Sequence, residues 1–237
     1  MKNITKKNHI PPCENCETRE TSMFCNLEQV DLEKLTKHKI HFHFKKGQTL
    51  FYENNHALGV FCIYSGKVVL HKRMNDKSQV IRLARPGSWI GYRALLGGDV
   101  YSASATTIEN TEACFIPKQT FMALLKEKPD LTNQTIKLLA EDLKEAETKL
   151  VAMAQLPARE RIIESLFSLA EFYGYESDKM TINGLFAREN IGSISGTTTE
   201  TAIRILSQLN KDKLIELKGK KIRIIDEKKL KQLIAEV

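Results

Sequence analysis

The stretch 187-ARENIGSISGTTTETAIRILSQLNKDKLIELKGKKIRIID-226 decides the fold. Its first segment, Arg188–Ser195, puts Ile191 and Ile194 on one face of a short helix, and Gly196 supplies the tight turn of a helix-turn-helix. Thr197, Thr198 and Thr199 then open a second helix, with a threonine side chain capping free backbone N–H groups and Glu200 in the first turn. The 3.6-residue period of that helix buries Ala202, Ile205, Leu206 and Leu209. It presents Thr198, Thr199, Glu200, Ile203, Arg204 and Gln208 to solvent. The following 214-LIELKGKKIRII reads as a hairpin turning at Lys218–Lys221, which makes a wing.

Charge supports the same reading. The whole chain of 237 residues carries a net charge of +7, which spread evenly would be ordinary. Residues 204–231, however, hold ten Lys/Arg against four Asp/Glu, a net +6, whereas residues 154–203 hold four against seven, a net −3. The excess therefore lies beside the second helix and the wing, where Lys218, Lys220 and Lys221 can displace counterions from phosphates. Glu200 and Arg204 stand four residues apart on the exposed face. Arginine can pair with guanine O6/N7 and glutamate can accept from cytosine N4, a stronger reading in this context than a surface ion pair.

Upstream, the period changes twice. Pro129 to Met153 contains no further Gly or Pro, and Ile136, Leu139, Leu143, Ala146, Leu150 and Met153 follow the alternating 3, 4 steps of a coiled-coil seam with charges on the other faces. This predicts a dimer helix that ends at Gln155-Leu156-Pro157, and a further helix over residues 158–173. Between residues 40 and 116, short β-branched and aromatic runs (49-TLFYE, 60-VFCIYSG, 67-KVVLHKR, 79-QVIRLA, 103-ASATTIE) alternate with Gly or polar turns, which predicts a small antiparallel sandwich or barrel. A short helix is predicted over Val30–His38, and residues 1–25 read as an irregular arm.

The composition, 42% hydrophobic and 27% charged, is that of a globular protein, and no apolar run is long enough for a transmembrane helix or a signal peptide. The expected compartment is the cytoplasm. Five cysteines cannot all pair within one chain, and in a reducing compartment they are more often free, metal-bound or redox-active. Cys13, Cys16 and Cys25 cluster in the arm. Cys62 reads as a small buried hydrophobe in an apolar strand. His38, His41 and His43 read as ordinary polar surface. Neither a phosphate-binding Gly-rich loop nor a recognisable nucleophile–base spacing is present, so no enzyme is expected.

Taken together, the chain resembles the CRP/FNR family of bacterial transcription regulators from about Cys13 to its end, most specifically in 196-GTTTETAIR, which matches the family's Gly-Thr-Thr-x-Glu-Thr-x-x-Arg turn and recognition helix. The resemblance implies an α+β chain in four parts. These are a cysteine-containing arm over residues 1–28, an antiparallel β-roll like a cyclic-nucleotide-binding domain over 29–128, a dimerisation helix over 129–156, and a winged helix-turn-helix over 157–237. It implies base reading by Glu200 and Arg204, with Ile203 where the FNR branch uses a polar residue. The expected partners are a palindromic double-stranded operator and a second copy of the chain, with RNA polymerase as a further candidate.

The family's cyclic-phosphate element, Gly-Glu-x-x-Leu followed by Arg-Ser-Ala, corresponds to 91-GYRALLGGDVYSASA, in which Tyr92 replaces the Glu and Tyr101 the Arg. Arg93 is displaced by one position, so the cyclic phosphate lacks its bidentate partner. The cysteines point instead to the FNR branch, whose oxygen-labile [4Fe-4S] cluster would be held by Cys13, Cys16, Cys25 and Cys114. Here eight residues separate Cys16 from Cys25 where the reference pattern has five. Zinc, a thiol redox switch and the absence of any cofactor remain open at this stage. The competing reading is a CRP-like regulator whose β-roll binds a cyclic nucleotide or another small effector without a metal.

Overall fold

Alternating apolar residues and tight polar turns between residues 40 and 117 give short antiparallel strands, and the 3.6-period segments on either side give helices. The computed structural model describes residues 11–75, 77–98 and 100–235. Two short 3-10 turns, Cys13–Asn15 and Glu17–Arg19, form the described part of the arm, followed by α1 (Gln29–His38). Then come β1 (Ile40–Phe44), β2 (Thr49–Phe51), β3 (Gly59–Ser65), β4 (Val68–Met74), β5 (Lys77–Ala84), β6 (Trp89–Ile90), α2 (Tyr92–Gly97), β7 (Ser104–Thr107) and β8 (Thr111–Pro117). The remainder is α3 (Lys118–Glu127), α4 (Pro129–Gln155), α5 (Ala158–Tyr173), α6 (Arg188–Ser195), α7 (Thr199–Lys211), β9 (Ile215–Lys218), β10 (Lys221–Ile224) and α8 (Glu227–Ala235).

The chain divides into two compact units: Met1–Lys72 with Ile81–Glu141, and Arg73–Val80 with Asp142–Val237. The strands of the roll form two four-stranded sheets, ordered β1-β8-β3-β6 and β2-β7-β4-β5. The core of the first unit is aromatic-rich: Phe51, Phe61, Trp89, Tyr92 and Phe121 are all buried beside Val60, Ile63, Val68 and Leu70. Gly66 closes the β3–β4 turn at φ +83°, and a Cβ there would stand 2.4 Å from the Asn110 carbonyl oxygen, so only glycine fits. The expected β run is thus found, with elements that the quoted runs did not show: strands β1 and β8, the two-residue strand β6 and, within the run, helix α2.

In the second unit, α5, α6 and α7 pack Ile162, Ile163, Leu166, Ile191, Leu206 and Leu209 into one core. The wing pairs Ile222 with Leu217 and Arg223 with Glu216. The segment after α5 adds to its edge: the Ile182 amide donates to the Ile222 carbonyl at 3.0 Å, and the Ile224 amide to the Met180 carbonyl at 2.9 Å. Residues 78–80 also belong to this unit, with Ser193 Oγ accepting from the Val80 amide at 3.1 Å and donating to the Ser78 carbonyl at 2.6 Å. Among the described residues, no helix is long and apolar enough to cross a membrane.

On α4, Leu131 and Thr135 are buried, and Leu138 and Leu139 pack partly against the core of the first unit. The rest of the seam is exposed. Ile136, Leu143 and Leu150 retain 58%, 61% and 68% of their surface, and Ala146 and Met153 are also exposed. Leu139 is therefore shared with the chain's own core, while the other seam positions form an apolar stripe open to solvent.

Candidate nucleic-acid interface and thiol site

Gly196 ends α6 in the left-handed conformation (φ +65°), and its amide caps the helix by donating to the Gly192 carbonyl. A Cβ on Gly192 would come within 3.1 Å of the Thr197 carbonyl oxygen, so a small residue lets the turn pass close to α6. Thr198 is the N-cap of α7, its Oγ1 accepting from the Thr201 amide at 3.2 Å. Its hydroxyl is therefore committed to holding the helix start. Thr197 is half-buried, its hydroxyl sharing a hydrogen bond with Ser195 Oγ at 3.0 Å. These two threonines position the helix, whereas Thr199, half-buried, begins it.

The solvent face of α7 presents Glu200, Ile203, Arg204, Ser207 and Lys211, while Ala202, Ile205, Leu206 and Leu209 face the core as expected. Arg204 forms no ion pair among the described residues, so it is not tied to Glu200 in a surface bridge. Gln208 is exposed but occupied: its amide donates to Asp212 at 2.8 Å, and Asp212 pairs with Arg159 at 3.2 Å. Ser207 and Lys211 were missed by the sequence reading, although simple i+4 and i+7 steps from Ile203 and Arg204 place them on the same face.

On the wing, the basic residues divide into two groups. Lys218 pairs with Glu216 at 3.0 Å, Lys221 with Glu176 at 2.8 Å, and Arg223 bridges Glu216 at 3.4 Å and Asp178 at 3.5 Å. Asp178 accepts from the Thr181 hydroxyl and from the Thr181 and Met180 amides, and these bonds hold its carboxyl down to about 2. Lys231 pairs with Glu227. Arg204, Lys211, Lys213, Lys220, Lys228 and Lys229 make no ion pair among the described residues and are all exposed. These six carry the region's excess charge outward.

Two further arginines brace this surface. Arg161, in the first turn of α5, donates to carbonyls at and just past the end of α4 (Met153 at 3.1 Å, Leu156 at 3.2 Å) and at and just past the end of α6 (Ser195 at 3.1 Å, Gly196 at 3.5 Å). Helix C-termini leave such oxygens without partners and carry partial negative charge, so one guanidinium satisfies two helix ends. Arg188 donates to the Gly219 carbonyl at 3.0 Å, tying the wing's turn to the start of α6. Neither contact has a local sequence signature, because the acceptors are main-chain carbonyls, and those of Ser195, Gly196 and Gly219 are distant in the chain.

In the first unit, the positions of the family's cyclic-phosphate element are aromatic and buried. Tyr92 is 1% exposed, and its hydroxyl accepts from Arg82 at 3.1 Å. Tyr101 is 5% exposed; its ring stacks on Phe51 at 3.9 Å, and its hydroxyl donates to the Gly59 carbonyl at 3.3 Å. Rings thus occupy places that in a nucleotide site must offer charge to a phosphate.

The cysteines are all free thiols. Cys114 on β8 stands directly opposite Cys62 on β3, so the two side chains emerge together on one face of the sheet. Cys13 is partly buried against the core and anchored by its amide, which donates to Thr36 Oγ1 at 2.8 Å. Burial pushes the Cys114 thiol up to about 12, with Lys39 opposing and Cys13, Cys16 and Glu112 reinforcing. Cys62 retains some accessible surface, yet its thiol is enclosed. Burial pushes it well above the usual range, with Cys114, Cys16 and Cys13 adding to the effect and Lys39 opposing.

Cys62 and Cys114 are therefore neighbours through the β3–β8 register. Cys25 is not brought into that group: its Sγ lies 4.0 Å from Gln134 Oε1 on α4. The thiol donors suit a thiophilic metal or cluster, but the set Cys13, Cys16, Cys25 and Cys114 does not converge. Among the described residues no three His, Cys, Asp or Glu side chains form a closed cation site. Of the histidines, His38 bonds the Lys34 carbonyl and His43 pairs with Glu112 at 3.2 Å.

Comparison with known proteins agrees with this architecture. Residues 41–128 match the family described as cyclic nucleotide-binding domain, and residues 160–233 the family described as Crp-like helix-turn-helix domain. The CRP-like cAMP-activated global transcriptional regulator of Mycobacterium tuberculosis is 24% identical over 210 residues, 88% of this chain and 94% of that protein. The fumarate and nitrate reduction regulatory protein of Vibrio cholerae is 24% identical over 232 residues, 93% and 89% of the two. The structure of FixK2 from Bradyrhizobium japonicum superposes with a TM-score of 0.73 at 21% identity, covering 82% of this chain and 96% of that one.

Proposed function

We infer that this chain, which belongs to the CRP/FNR family of DNA-binding transcription regulators, reads its operator with Glu200, Ile203 and Arg204 and takes its signal from redox chemistry at the cysteines, in the manner of the FNR branch. It acts by binding, and its relatives are regulators rather than enzymes. The observation that carries the reading of DNA is the exposed, ion-pair-free Arg204 on the solvent face of a helix whose start is fixed by the Thr198 cap.

Two copies of α7 enter successive major grooves if the chain is a dimer, and the exposed stripe of Ile136, Leu143, Ala146, Leu150 and Met153 supports pairing through α4. Two-fold symmetry then calls for a palindromic operator with half-sites about one helical turn apart. Lys220 and Lys211 supply salt-sensitive phosphate contacts without selecting sequence.

For the signal, the burial of Tyr92 and Tyr101 disfavours a cyclic nucleotide, since neither residue offers a cation to its phosphate. Cys13, Cys16 and Cys114 supply thiol donors, and an iron–sulfur cluster or other thiophilic centre would make their region responsive to oxygen or redox state. The chain's own part would be to hold the arm, which the Lys39 ammonium ties by donating to the Pro11 carbonyl at 2.6 Å. A change there biases how the α4 helices pair.

The test of base reading is Arg204→Ala. One bidentate contact discriminates by about 1–3 kcal/mol, so operator affinity should fall roughly ten- to hundredfold while binding to random duplex falls little. Equal losses on both would sink the assignment.

A further inference from the structure

We propose that Cys62 and Cys114 form a reversible disulfide across β3 and β8, a redox modification site inside the β-roll that needs neither a metal nor a cysteine of the arm. The strand register carries the assignment. β3 and β8 pair residue for residue from Gly59 opposite Pro117 to Ile63 opposite Ala113, and the bulge comes only after Ile63. Cys62 and Cys114 thus lie in the regular part of the ladder. On the β6 side, the Ile63 amide donates to the Ser88 carbonyl at 3.0 Å, and the Ile63 carbonyl accepts from the Gly87 amide at 2.8 Å. Backbone polar groups alternate sides along a strand, so those of Cys62, one residue earlier, face β8. The two cysteines are therefore a hydrogen-bonded pair, for which Cα atoms stand about 5.5 Å apart. Disulfides span Cα separations of about 4.4–6.8 Å, most often about 5.5–6 Å, so the bond can close without displacing either strand far.

The other cysteines have other neighbours. Cys25 Sγ lies 4.0 Å from Gln134 Oε1, Cys16 Sγ lies 3.2 Å from Thr18 Oγ1, and the Cys13 amide is held by Thr36 Oγ1. Within the sheet, the row continues to His41 of β1 beyond Cys114 and to Trp89 of β6 beyond Cys62. No third thiol stands in that row, so a sulfur activated at either position has the other as its partner across the strands.

The oxidant is a low-molecular-weight disulfide. One cysteine thiolate attacks a sulfur of the small disulfide, forms a mixed disulfide and expels one small thiolate. The second cysteine thiolate then attacks the protein sulfur of that mixed disulfide, forms the cross-strand S–S bond and expels the second small thiolate. The two protons given up by the cysteines end on the two small thiols, and the two electrons lost by the pair reduce the small disulfide. Burial keeps both cysteines protonated, so the first attack is slow and the exchange takes minutes to hours. Once one sulfur has reacted, the register delivers the other. Oxidation also withdraws Cys114 from the thiol donors invoked above, so the two chemistries exclude each other at that sulfur.

The experiment equilibrates full-length wild type, Cys25→Ser and Cys62→Ala for hours under nitrogen at stepped ratios of reduced to oxidised glutathione. The samples are quenched in acid, free thiols are alkylated, and tryptic peptides are identified by mass spectrometry. Cys62 falls in the peptide 47–67 and Cys114 in the peptide 94–118, so their bond joins two separate peptides. Wild type should yield that joined pair under oxidised glutathione, at the mass of one chain on a non-reducing gel, and lose it under excess reduced glutathione. Cys25→Ser should match wild type, and Cys62→Ala should leave Cys114 alkylated. Wild type alone decides, so the result does not depend on how the variants fold. Cys62 and Cys114 alkylated at every ratio, or Cys114 joined to a cysteine of the arm, overturns the assignment. A joined pair that persists in excess reduced glutathione overturns its reversibility. A Cys13–Cys16 bond formed while both strand cysteines stay alkylated overturns the assignment and leaves the redox reading standing.

Discussion

Leu143→Ala separates the surface that joins two copies from the core that folds one. Leu143 sits mid-seam on α4 with 61% of its surface exposed in the single chain, so its side chain contributes little to folding and much to any helix that packs on it. The substitution removes three carbons, each worth ~0.8 kcal/mol when buried. Scaled by the exposed fraction this is ~1.5 kcal/mol per chain. Symmetry repeats it, giving ~3 kcal/mol of association free energy and a dimer dissociation constant roughly a hundredfold larger. Sedimentation velocity over a dilution series reads that constant directly. Unfolding of the monomer at low concentration should shift by no more than ~0.5 kcal/mol. Leu131→Ala provides the contrast: at 2% exposure its loss should cost about 2–5 kcal/mol of folding stability. An unchanged dimer constant in Leu143→Ala, or a large drop in monomer stability, would refute the reasoning.

Three further outcomes follow from particular contacts. Arg161→Met leaves the carbonyls ending α4 and α6 without their shared donor, so chemical denaturation should show a loss of about 2–3 kcal/mol, and Arg161→Lys, a single-headed donor, should recover only part of it. Thr198→Ala removes the α7 cap and should cost about 1 kcal/mol in denaturation while leaving dimerisation untouched. Asp178 titrates at about 2 instead of 3.8 because it accepts three hydrogen bonds in the Met180–Thr181 turn. Its contribution is therefore complete above about pH 4 and lost as pH falls from 3.8 through about 2. Asp178→Asn should flatten the acid limb of the thermal stability curve across that window.

The winged helix-turn-helix was legible because its determinants are local. Gly196, the threonines that follow it and the 3.6-residue spacing of Ala202, Ile205, Leu206 and Leu209 each act within a few residues, and the structure places them as the spacing requires. The α4 seam was legible for the same reason, except at Leu139, which the first unit's core claims in part. What escaped depends on pairing between distant segments. Nothing near Cys62 marks it as the partner of Cys114; only the β3–β8 register does, and the 51 intervening residues hide it. Cys25 looked like a companion of Cys16 by proximity in sequence, but the turns between them carry it to α4. Tyr92 and Tyr101 could be read as a loss of charge, whereas the stacking of Tyr101 on Phe51 emerges only once β2 and the β7 approach are folded together. Arg161 and Arg188 were invisible for the same reason, since their acceptors are carbonyls that any sequence supplies.

The central claim is that two copies of the chain read DNA symmetrically through Arg204 and its neighbours. Affinity selection from a random duplex library with the anaerobically purified protein tests it most directly. The account predicts enrichment of an inverted repeat whose half-site centres lie about 10–10.5 base pairs apart, and loss of that enrichment in Arg204→Ala. An asymmetric single motif, or no enriched sequence at all, would contradict it.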